Sequence, residues 1–330
     1  MKKAFIFLCS WLLSISAGAQ YTPQAGLAGS DAVPAASTRF VNWATGCTIY
    51  RGLMNIADAS LGYASAGDST AALGVADNGI VSLGDSGVAI VTFAKPIYDG
   101  PGADFAVFEN GFINPANDSE SYMELAFVEV SSDGTNYFRF PASSNTQVNV
   151  QAGNTTYLNA SNINNLAGKY IAMYGTPFDL QELAGTIGLD INHITHIRIV
   201  DVVGSIFANA SHDFTGRAIN DPYPTPFPSC GFDLDAVGVI HNVETGIKSL
   251  TANTAINIFP NPSSELFTVA VATPLSLTAV LTTTTGTVLQ RKELTPADNT
   301  IQVSQYAAGM YYLILQDLSG NKWQQVITKH

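Results

Sequence analysis

The stretch LAFVEVSSDGTNYFRFP (125–141) decides the fold class of the larger part of the chain. It contains two β-type runs, LAFVEVSSD (125–133) and a shorter one at 137–140. The residues between them, around Gly134, have the composition of a turn. Short strands joined in this way predict antiparallel β-structure.

Similar runs flank this stretch: GVAIVTF (87–93), DFAVFEN (104–110), HITHIRIVDV (193–202) and DAVGVIH (235–241). The one helical pattern is PFDLQELAG (177–185), in which Asp179 has the position of an N-cap. Because strands do not alternate with helices, a doubly wound parallel sheet is disfavoured. We therefore predict an all-β protein whose residues 20–242 form an antiparallel sandwich or jelly roll.

The composition agrees with a β-rich exported protein. Hydrophobic residues make up 46% of the 330 residues and charged residues 12%, which is about half the usual share of charge. The 26 acidic residues exceed the 14 basic ones, which gives a formal net charge of −12. Nucleic-acid binding is excluded as a function, because neutralising phosphates requires a basic face.

Residues 1–19 have the three-part layout of a secretory signal peptide. A Lys-Lys pair precedes the apolar run AFIFLCSWLL (4–13), and small residues follow it. The run is shorter than the roughly 20 residues that span a bilayer, and no later stretch reaches that length, so a membrane anchor is disfavoured. Lipidation at Cys9 is disfavoured because Cys9 lies inside the run. We expect cleavage after Ala19, export to the periplasm and a mature chain without a transmembrane segment.

A second unit begins after a short polar linker at 243–253. Residues 254–330 consist of strand-like segments separated by turn residues. Pro260-Asn261-Pro262 enters the first segment, and Gly286 marks a hairpin turn. This pattern predicts a small Ig-like sandwich.

The second unit resembles the C-terminal sorting domain of proteins exported by the type IX secretion system of Bacteroidetes-type bacteria. The resemblance is carried by IFPNPSSELFTV (258–269), the L-T-x-x-x-G-x-V-L pattern at 281–289, IQVSQYAAGMYYLIL (301–315) and the basic tail ending in Lys329. A generic Ig-like adhesive module explains the strands but not these motifs together. The resemblance implies that the type IX machinery carries the protein across the outer membrane. The resemblance also implies the cleavage of the sorting domain that is usual in the family, after which the protein is secreted or stays on the outer cell surface.

Residues 40–241 resemble an uncharacterised group of bacterial surface or secreted β-sandwich proteins. The likeness is clearest at GADFAVFEN (102–110), LAFVEVSSDGTNYFRFP (125–141) and GFDLDAV (231–237). It implies a jelly-roll-like, galactose-binding-like cargo domain at 20–242, followed by the linker at 243–253 and the sorting domain at 254–330. It implies no activity for any named residue.

Several carboxylates are candidates for a metal site. The segment Asp-Leu-Asp (233–235) would place two carboxylates on one face of an extended strand. Buried carboxylates are costly unless they are paired or metal-bound, and oxygen donors of this kind favour Ca²⁺. The predicted calcium ligands are Asp233, Asp235, Glu109 and Asn110. The alternative is that Asp233 caps a turn and Asp235 pairs with an arginine such as Arg198 or Arg217.

The motif GDSG (84–87) is similar to the surroundings of a serine-protease nucleophile. A chymotrypsin-like site needs its His before the Ser, and the mature chain has no His before His193. A tight turn into the run at 87–93 explains the motif better. The five histidines have no spacing typical of a metalloenzyme.

Three function classes remain. Non-catalytic binding of a glycan or another extracellular ligand ranks first, because it needs only aromatic platforms beside Asn and Asp side chains. The candidate aromatic residues are Tyr122, Tyr137, Tyr170, Tyr174 and Tyr223. Glycan hydrolysis by Glu109 with Glu124 or Glu129 ranks second, because two carboxylates suffice for it. A structural role in a surface layer ranks third.

Removal of the signal peptide leaves two cysteines, Cys47 and Cys230. Neither has the spacing of a zinc site. In an oxidising compartment such a pair forms one long-range disulfide or remains as two buried thiols. Because the first and last strands of a sandwich commonly lie side by side, we predict a Cys47–Cys230 disulfide.

Overall fold

The computed structural model describes residues 21–242, 256–271, 277–317 and 322–330. The predicted signal peptide at 1–19 and the predicted linker at 243–253 lie outside the described residues. The chain divides into two compact units, residues 1–243 and 244–330, named the N-terminal and C-terminal units. Among the described residues, no helix has the length and apolar character needed to span a bilayer.

The described part of the N-terminal unit consists of strands, connecting loops and three short 3-10 helices, Ala59–Leu61, Ala160–Asn162 and Leu180–Leu183. Its strands are β1 Val33–Pro34, β2 Asn42–Trp43, β3 Gly46–Tyr50, β4 Val81–Ser82, β5 Val88–Ile97, β6 Phe105–Glu109, β7 Phe112–Asn114, β8 Asn117–Tyr122, β9 Ala126–Ser131, β10 Phe138–Arg139, β11 Ser143–Ser144, β12 Leu158–Asn159, β13 Ile163–Asn164, β14 Leu166–Ala167, β15 Tyr174–Phe178, β16 Ile194–Asp201 and β17 Asp233–Val239.

Two six-stranded sheets form the body of this unit. One has the order β1-β15-β6-β17-β2 with β4 paired to β17, and the other has the order β10-β9-β16-β5-β3 with β14 paired to β9. The pairs are antiparallel. Apolar side chains of both sheets, such as Val107 and Val128, share one buried core. The unit is therefore a β-sandwich, and the predicted all-β fold is confirmed.

Side-chain alternation gives the central strands two buried faces. In β6, Phe105 and Val107 join the core between the sheets, whereas Ala106 and Phe108 join a second apolar cluster. In β9, Phe127 joins a third cluster in the same way. Strands that are covered on both faces read as nearly continuous apolar runs, which is the pattern of the quoted segments.

All six strand segments predicted in this unit form strands, namely β5, β6, β9, β10, β16 and β17. The predicted helix at 177–185 is wrong, because only the 3-10 turn Leu180–Leu183 forms there. Asp179 caps this turn by accepting a hydrogen bond from the backbone N–H of Gln181 at 2.9 Å. Phe178 still belongs to β15, and Gly185 has a φ of +80°, so no room remains for a full helix.

The C-terminal unit is a smaller sandwich. Its strands are β18 Ile256–Phe259, β19 Leu266–Val271, β20 Leu277–Thr283, β21 Val288–Leu294, β22 Thr300–Gln302, β23 Gly309–Asp317 and β24 Lys322–Lys329. They form a three-stranded sheet, β18-β19-β22, and a four-stranded sheet, β21-β20-β23-β24. Phe267, Leu281 and Leu313 are at most 1% exposed in the core of this unit. Gly286, with a φ of +88°, lies in the turn between β20 and β21, where the sequence predicts a hairpin.

The predicted disulfide is not formed in the structure, in which Cys47 and Cys230 are both free thiols. Cys47 lies on β3 at one edge of its sheet, opposite Val91 of β5. Cys230 is buried, and its Sγ lies 3.8 Å from the backbone carbonyl of Leu53. Burial raises the pKa of the Cys47 thiol to about 11 and that of the Cys230 thiol to about 12, so both side chains behave as small apolar groups.

Candidate functional site

Four buried carboxylates lie where strands of both sheets begin or end, and a fifth lies in a loop beside them. Glu109 ends β6 and Asp233 begins β17, its neighbour in one sheet. Asp201 ends β16, and Glu124 lies just before β9, its neighbour in the other sheet. Asp221 joins them by accepting a hydrogen bond from the backbone N–H next to Glu124 at 2.6 Å. These five residues, named the acid cluster, are each 2–5% exposed.

Hydrogen bonds hold four members of the acid cluster in place. Asp201 accepts from the backbone N–H groups of Phe232 at 2.7 Å and Ser86 at 2.9 Å. Ser86 belongs to the GDSG segment, which forms a turn before β5. Glu109 accepts from the N–H of Gly111 at 2.7 Å. These acids therefore fix the loops at this end of the sandwich.

Glu124 differs from the other four members. Its Oε1 is buried and has no hydrogen-bond partner among the described residues. Burial raises the pKa of Glu124 well above its usual range, and the charges of Asp233 and Glu109 raise it further. No described Lys or Arg forms an ion pair with any member of the cluster. The site therefore concentrates negative charge that only protons or a bound cation can neutralise.

The structure places the four predicted calcium ligands in different environments. Glu109 and Asp233 belong to the acid cluster. Asn110 donates a hydrogen bond through Nδ2 to Asp233 Oδ2 at 3.2 Å, and Ser82 Oγ donates to the other oxygen of Asp233. Asp235 instead accepts from the backbone N–H groups of a neighbouring loop, at residues 77 and 78, both at 3.2 Å. The register of β17 against β6 shifts between Leu234 and Ala236, so Asp235 lies at the irregularity, and the two aspartates have different hydrogen-bond partners.

The predicted alternative for Asp235 is wrong, because neither arginine pairs with it. Arg198 forms an ion pair with Glu129, and Arg139 pairs with the same carboxylate at 2.8 Å. Arg217 donates to the backbone carbonyl of Thr146 at 2.6 Å. Glu129 is engaged by two arginines on neighbouring strands and is not a member of the acid cluster. Of the two predicted partners of Glu109 in hydrolysis, Glu124 has a pKa that the charge of Glu109 raises, whereas Glu129 is paired with Arg139 and Arg198.

A second acidic group lies elsewhere in the N-terminal unit. One carboxylate oxygen each from Asp99, Asp104 and Asp179 come within 4.8 Å of one another. Asp104 is already satisfied by the N–H groups of Gly100 and Leu180 and by His241 Nδ1, all at 2.7 Å. No other three acidic, His or Cys side chains within the described ranges approach this closely, and this includes the acid cluster.

A group of rings, named the aromatic patch, consists of the exposed Phe112 and the half-buried Tyr122 and Tyr157. Phe112 of β7 is directly opposite Tyr122 of β8 in a three-stranded sheet with the order β12-β8-β7. The Phe112 and Tyr122 rings stack at 5.1 Å with an interplanar angle of 8°, and Tyr157 meets Phe112 edge-on at 6.1 Å. The Phe112 side chain is 54% exposed. The Phe112 ring is thus the part of the patch that faces solvent, and the two tyrosine rings pack against it.

Polar groups and the acid cluster adjoin the aromatic patch. On the same small sheet, Asn114 Nδ2 donates to Glu120 Oε2 at 3.0 Å, and Asn159 is the register partner of Glu120. Burial raises the pKa of Tyr122, and the charges of Glu124 and other members of the acid cluster raise it further. The aromatic patch is therefore bordered by amide and carboxylate groups.

Of the five predicted aromatic platforms, only Tyr122 belongs to this patch. Tyr137 lies under the guanidinium of Arg198, at 4.2 Å from its ring centre. Tyr170 is 1% exposed and Tyr174 packs against the core. Tyr223 donates to Asn55 Oδ1 at 3.0 Å. Sequence reasoning missed Phe112 and Tyr157. Phe112 could have been found from the turn residues after it, because a hairpin that pairs Asn114 with Asn117 places Phe112 opposite Tyr122.

A polar cavity of about 310 Å³ lies in the same unit. It is lined by carboxylates, amides and two cations, and no aromatic ring contributes to it. The lining residues that carry charge are Asp31, Arg39, Lys169, Asp179 and Glu182. Lys169 is 3% exposed, and burial lowers the pKa of its ammonium group to about 8.

Comparison with known proteins identifies one part of the chain. Residues 257–329 match the family model of the secretion system C-terminal sorting domain. This finding confirms that the C-terminal unit is a sorting domain. Its presence implies that the protein is exported to the outer surface or the medium. A search of curated proteins found no match.

Several solved structures are similar to parts of the chain. An immunoglobulin-like β-sandwich protein of the DUF3244 family from Bacteroides vulgatus is 21% identical over 24% of this chain and 88% of that chain, with a TM-score of 0.21. A β-glucuronidase from Ruminococcus gnavus is 11% identical over 74% of this chain and 36% of that chain, with a TM-score of 0.18. The BSP domain of a biofilm-associated protein is 10% identical over 74% and 48% of the two chains, with a TM-score of 0.21. The chain thus spans less than half the length of the last two.

Proposed function

We propose that this exported protein is a non-catalytic binding module that recognises a glycan through the aromatic patch. The sorting domain at 257–329 assigns the type IX secretion machinery as the partner of the C-terminal unit. The N-terminal unit is then the part that acts outside the cell. The observation that carries the proposal is the exposed Phe112 ring stacked on Tyr122 beside amide and carboxylate side chains.

The chemistry of a sugar ring matches this surface. A pyranose has a face of C–H groups that packs on a flat aromatic ring, and hydroxyl groups around its edge that need hydrogen-bond partners. Phe112 supplies the ring, and Asn114, Glu120 and Asn159 supply acceptors and donors within the same three-stranded sheet. Strand pairing holds these groups in place, so little ordering is required on binding.

A glycan array probed with the purified protein tests the proposal. We expect binding to one class of glycan, and we expect Phe112→Ala to abolish it. Phe207→Ala is the matched control, because Phe207 is 76% exposed and lies outside the patch. Arg39→Ala probes the polar cavity instead. Binding that survives Phe112→Ala but is lost in Arg39→Ala would move the site to the cavity, and no binding to any glycan would refute the proposal.

Glycan hydrolysis is the second candidate function, and one observation favours it. The raised pKa of Glu124, beside the charge of Glu109, is the property of a carboxyl that acts as a general acid. Chromatography of glycans after incubation with the protein distinguishes the two functions. Released sugars that disappear with Glu124→Gln would identify a hydrolase, whereas binding without product supports the module.

A further inference from the structure

The acid cluster contains a carboxylate that the described protein groups do not satisfy. Glu124 is 5% exposed, and its Oε1 has no hydrogen-bond partner among the described residues. The charges that act on it come from Asp233, Glu109, Asp221 and Asp201, and all of them are negative. An unpaired buried carboxylate is strongly disfavoured, and a buried polar group without a partner requires an explanation.

Neither a basic residue nor a single proton neutralises the negative charge of the acid cluster. Arg51 is the cation whose charge reaches Asp233. Its guanidinium is occupied by the backbone carbonyls of Ala66 at 2.8 Å, Gly67 at 2.6 Å and Ser82. A proton on Glu124 would neutralise one charge and leave the other acids facing one another. A cation neutralises several of them at once.

We propose that a calcium ion binds in the acid cluster, with Glu124 as its central ligand and Glu109, Asp221 and Asp233 as the neighbouring carboxylates. A carboxylate has about four lone-pair sites, so the hydrogen bonds that orient these acids leave capacity for a metal. Calcium accepts six to eight oxygens, water included, with flexible geometry. No three carboxylate oxygens of the cluster lie within 4.8 Å of one another, so at most two of these acids contact the ion directly in this arrangement. The proposal therefore assigns the remaining ligands to water, through which the other acids act.

This site differs from the one expected from the sequence. It keeps Glu109 and Asp233, adds Glu124 and Asp221, and omits Asp235, whose oxygens accept N–H groups of the loop at 77 and 78. Its position also gives it a role. A calcium ion there joins β6 and β17 of one sheet to the residues just before β9 of the other and to the loop that carries Asp221, which stabilises this end of the sandwich. The inference does not depend on glycan binding.

Calorimetry and thermal unfolding of the purified full-length protein test the inference. After removal of metals with EDTA, we expect CaCl₂ to bind with a Kd of about 10⁻⁴–10⁻³ M or tighter and to raise the Tm as its concentration rises. MgCl₂ at equal concentration should have a smaller effect, because Mg²⁺ demands rigid octahedral geometry. Absence of both binding and stabilisation by calcium would overturn the inference.

Two variants locate the ion. Glu124→Gln keeps the shape of the side chain and removes its charge, and we expect it to weaken calcium binding more than about tenfold. Asp99→Asn, in the second acidic group, is the matched control and should leave the affinity unchanged. The reverse result, with binding lost in Asp99→Asn alone, would place calcium at the second group and overturn the inference.

Terbium luminescence gives a readout that does not depend on the folding of Glu124→Gln. Tb³⁺ substitutes for Ca²⁺ and is sensitised by a nearby phenol ring, and the charges of the acid cluster act directly on Tyr122. We expect Tyr122→Phe to retain Tb³⁺ binding and to lose most of the sensitised emission. Emission that is unchanged in Tyr122→Phe would place the ion away from the cluster.

Discussion

The two units of the chain differ in the number of polar and charged side chains that they bury. Ten carboxylates of the N-terminal unit are buried, at 0–7% exposure. In the described part of the C-terminal unit, no carboxylate is buried, and Thr282 is the one buried polar residue. The interior of the sorting domain is apolar, so its composition is explained by the requirements of folding. The N-terminal unit carries a cost of carboxylate burial that its hydrogen bonds offset only in part, and such groups point to a function.

Removal of residues 257–329 has the largest expected effect, because it deletes the sorting domain and leaves the N-terminal unit. In the native host we expect the shortened protein to accumulate in the periplasm, because the sorting domain directs passage across the outer membrane. Immunoblots of periplasm, cell surface and medium give the measurement. The full-length chain serves as the control, and normal amounts of the shortened protein outside the cell would contradict the assignment.

A substitution in the apolar core of the C-terminal unit tests whether that unit depends on packing alone. Phe267→Ala removes a fully buried ring and should lower the free energy of unfolding of this unit by about 3–5 kcal/mol. Denaturation of the chain lacking residues 1–19, followed by Trp323 fluorescence in a Trp43→Phe background, reports on this unit, because Trp323 packs against its core.

The control for this substitution is Val326→Ala, at a residue that is 45% exposed. It should change stability much less than Phe267→Ala. Equal effects of the two changes would show that the core does not carry the stability of the sorting domain.

The buried lysine of the N-terminal unit predicts a dependence of stability on pH. The pKa of Lys169 is about 8 in the folded state, below that of an unfolded lysine, about 10.4. Between these values the unfolded chain binds more protons, so the free energy of unfolding rises with pH. We expect Lys169 to contribute a rise of about 2 kcal/mol between pH 8 and 10.

This rise should be absent in Lys169→Met and present in Lys322→Met, which removes an exposed positive charge from the other unit. Urea denaturation at pH 8, 9 and 10 gives the measurement. Identical slopes for wild type and Lys169→Met would refute the low pKa.

The smallest of these effects concerns the ion pairs of Glu129. Its partners Arg139 and Arg198 are 43% and 33% exposed, so solvent screens the pairs. We expect Glu129→Gln to lower the free energy of unfolding by about 1 kcal/mol, as judged by urea denaturation. It should leave glycan binding unchanged. Loss of glycan binding in this variant would show that Glu129 takes part in the function.

The strands were predictable from the sequence because burial on both faces requires a nearly continuous run of apolar residues. The runs at 104–110 and 125–133 are β6 and β9, whose side chains alternate between two apolar layers. The sorting domain was predictable for a different reason, since its motifs lie in one continuous segment. In both cases the decisive residues are close together in the chain.

The candidate site was only partly predictable because its residues meet through long-range pairing. Glu109 and Asp233 lie on paired strands, but Asp235 lies at the register shift of β17 and accepts hydrogen bonds from the loop at 77 and 78. Glu124 and Asp221 come together through a bond between loops almost a hundred residues apart. The disulfide failed for the same reason, because chain order did not reveal which strand edges meet.

The edges of the four-stranded sheet in the sorting domain carry positive charge. Arg291 lies on the edge strand β21, and Lys322 lies at the start of the edge strand β24, whose other end is bridged to Ser263 at Lys329. Charged side chains on an open edge oppose the addition of a strand from another molecule. We expect these side chains to disfavour edge-to-edge pairing between copies of the protein.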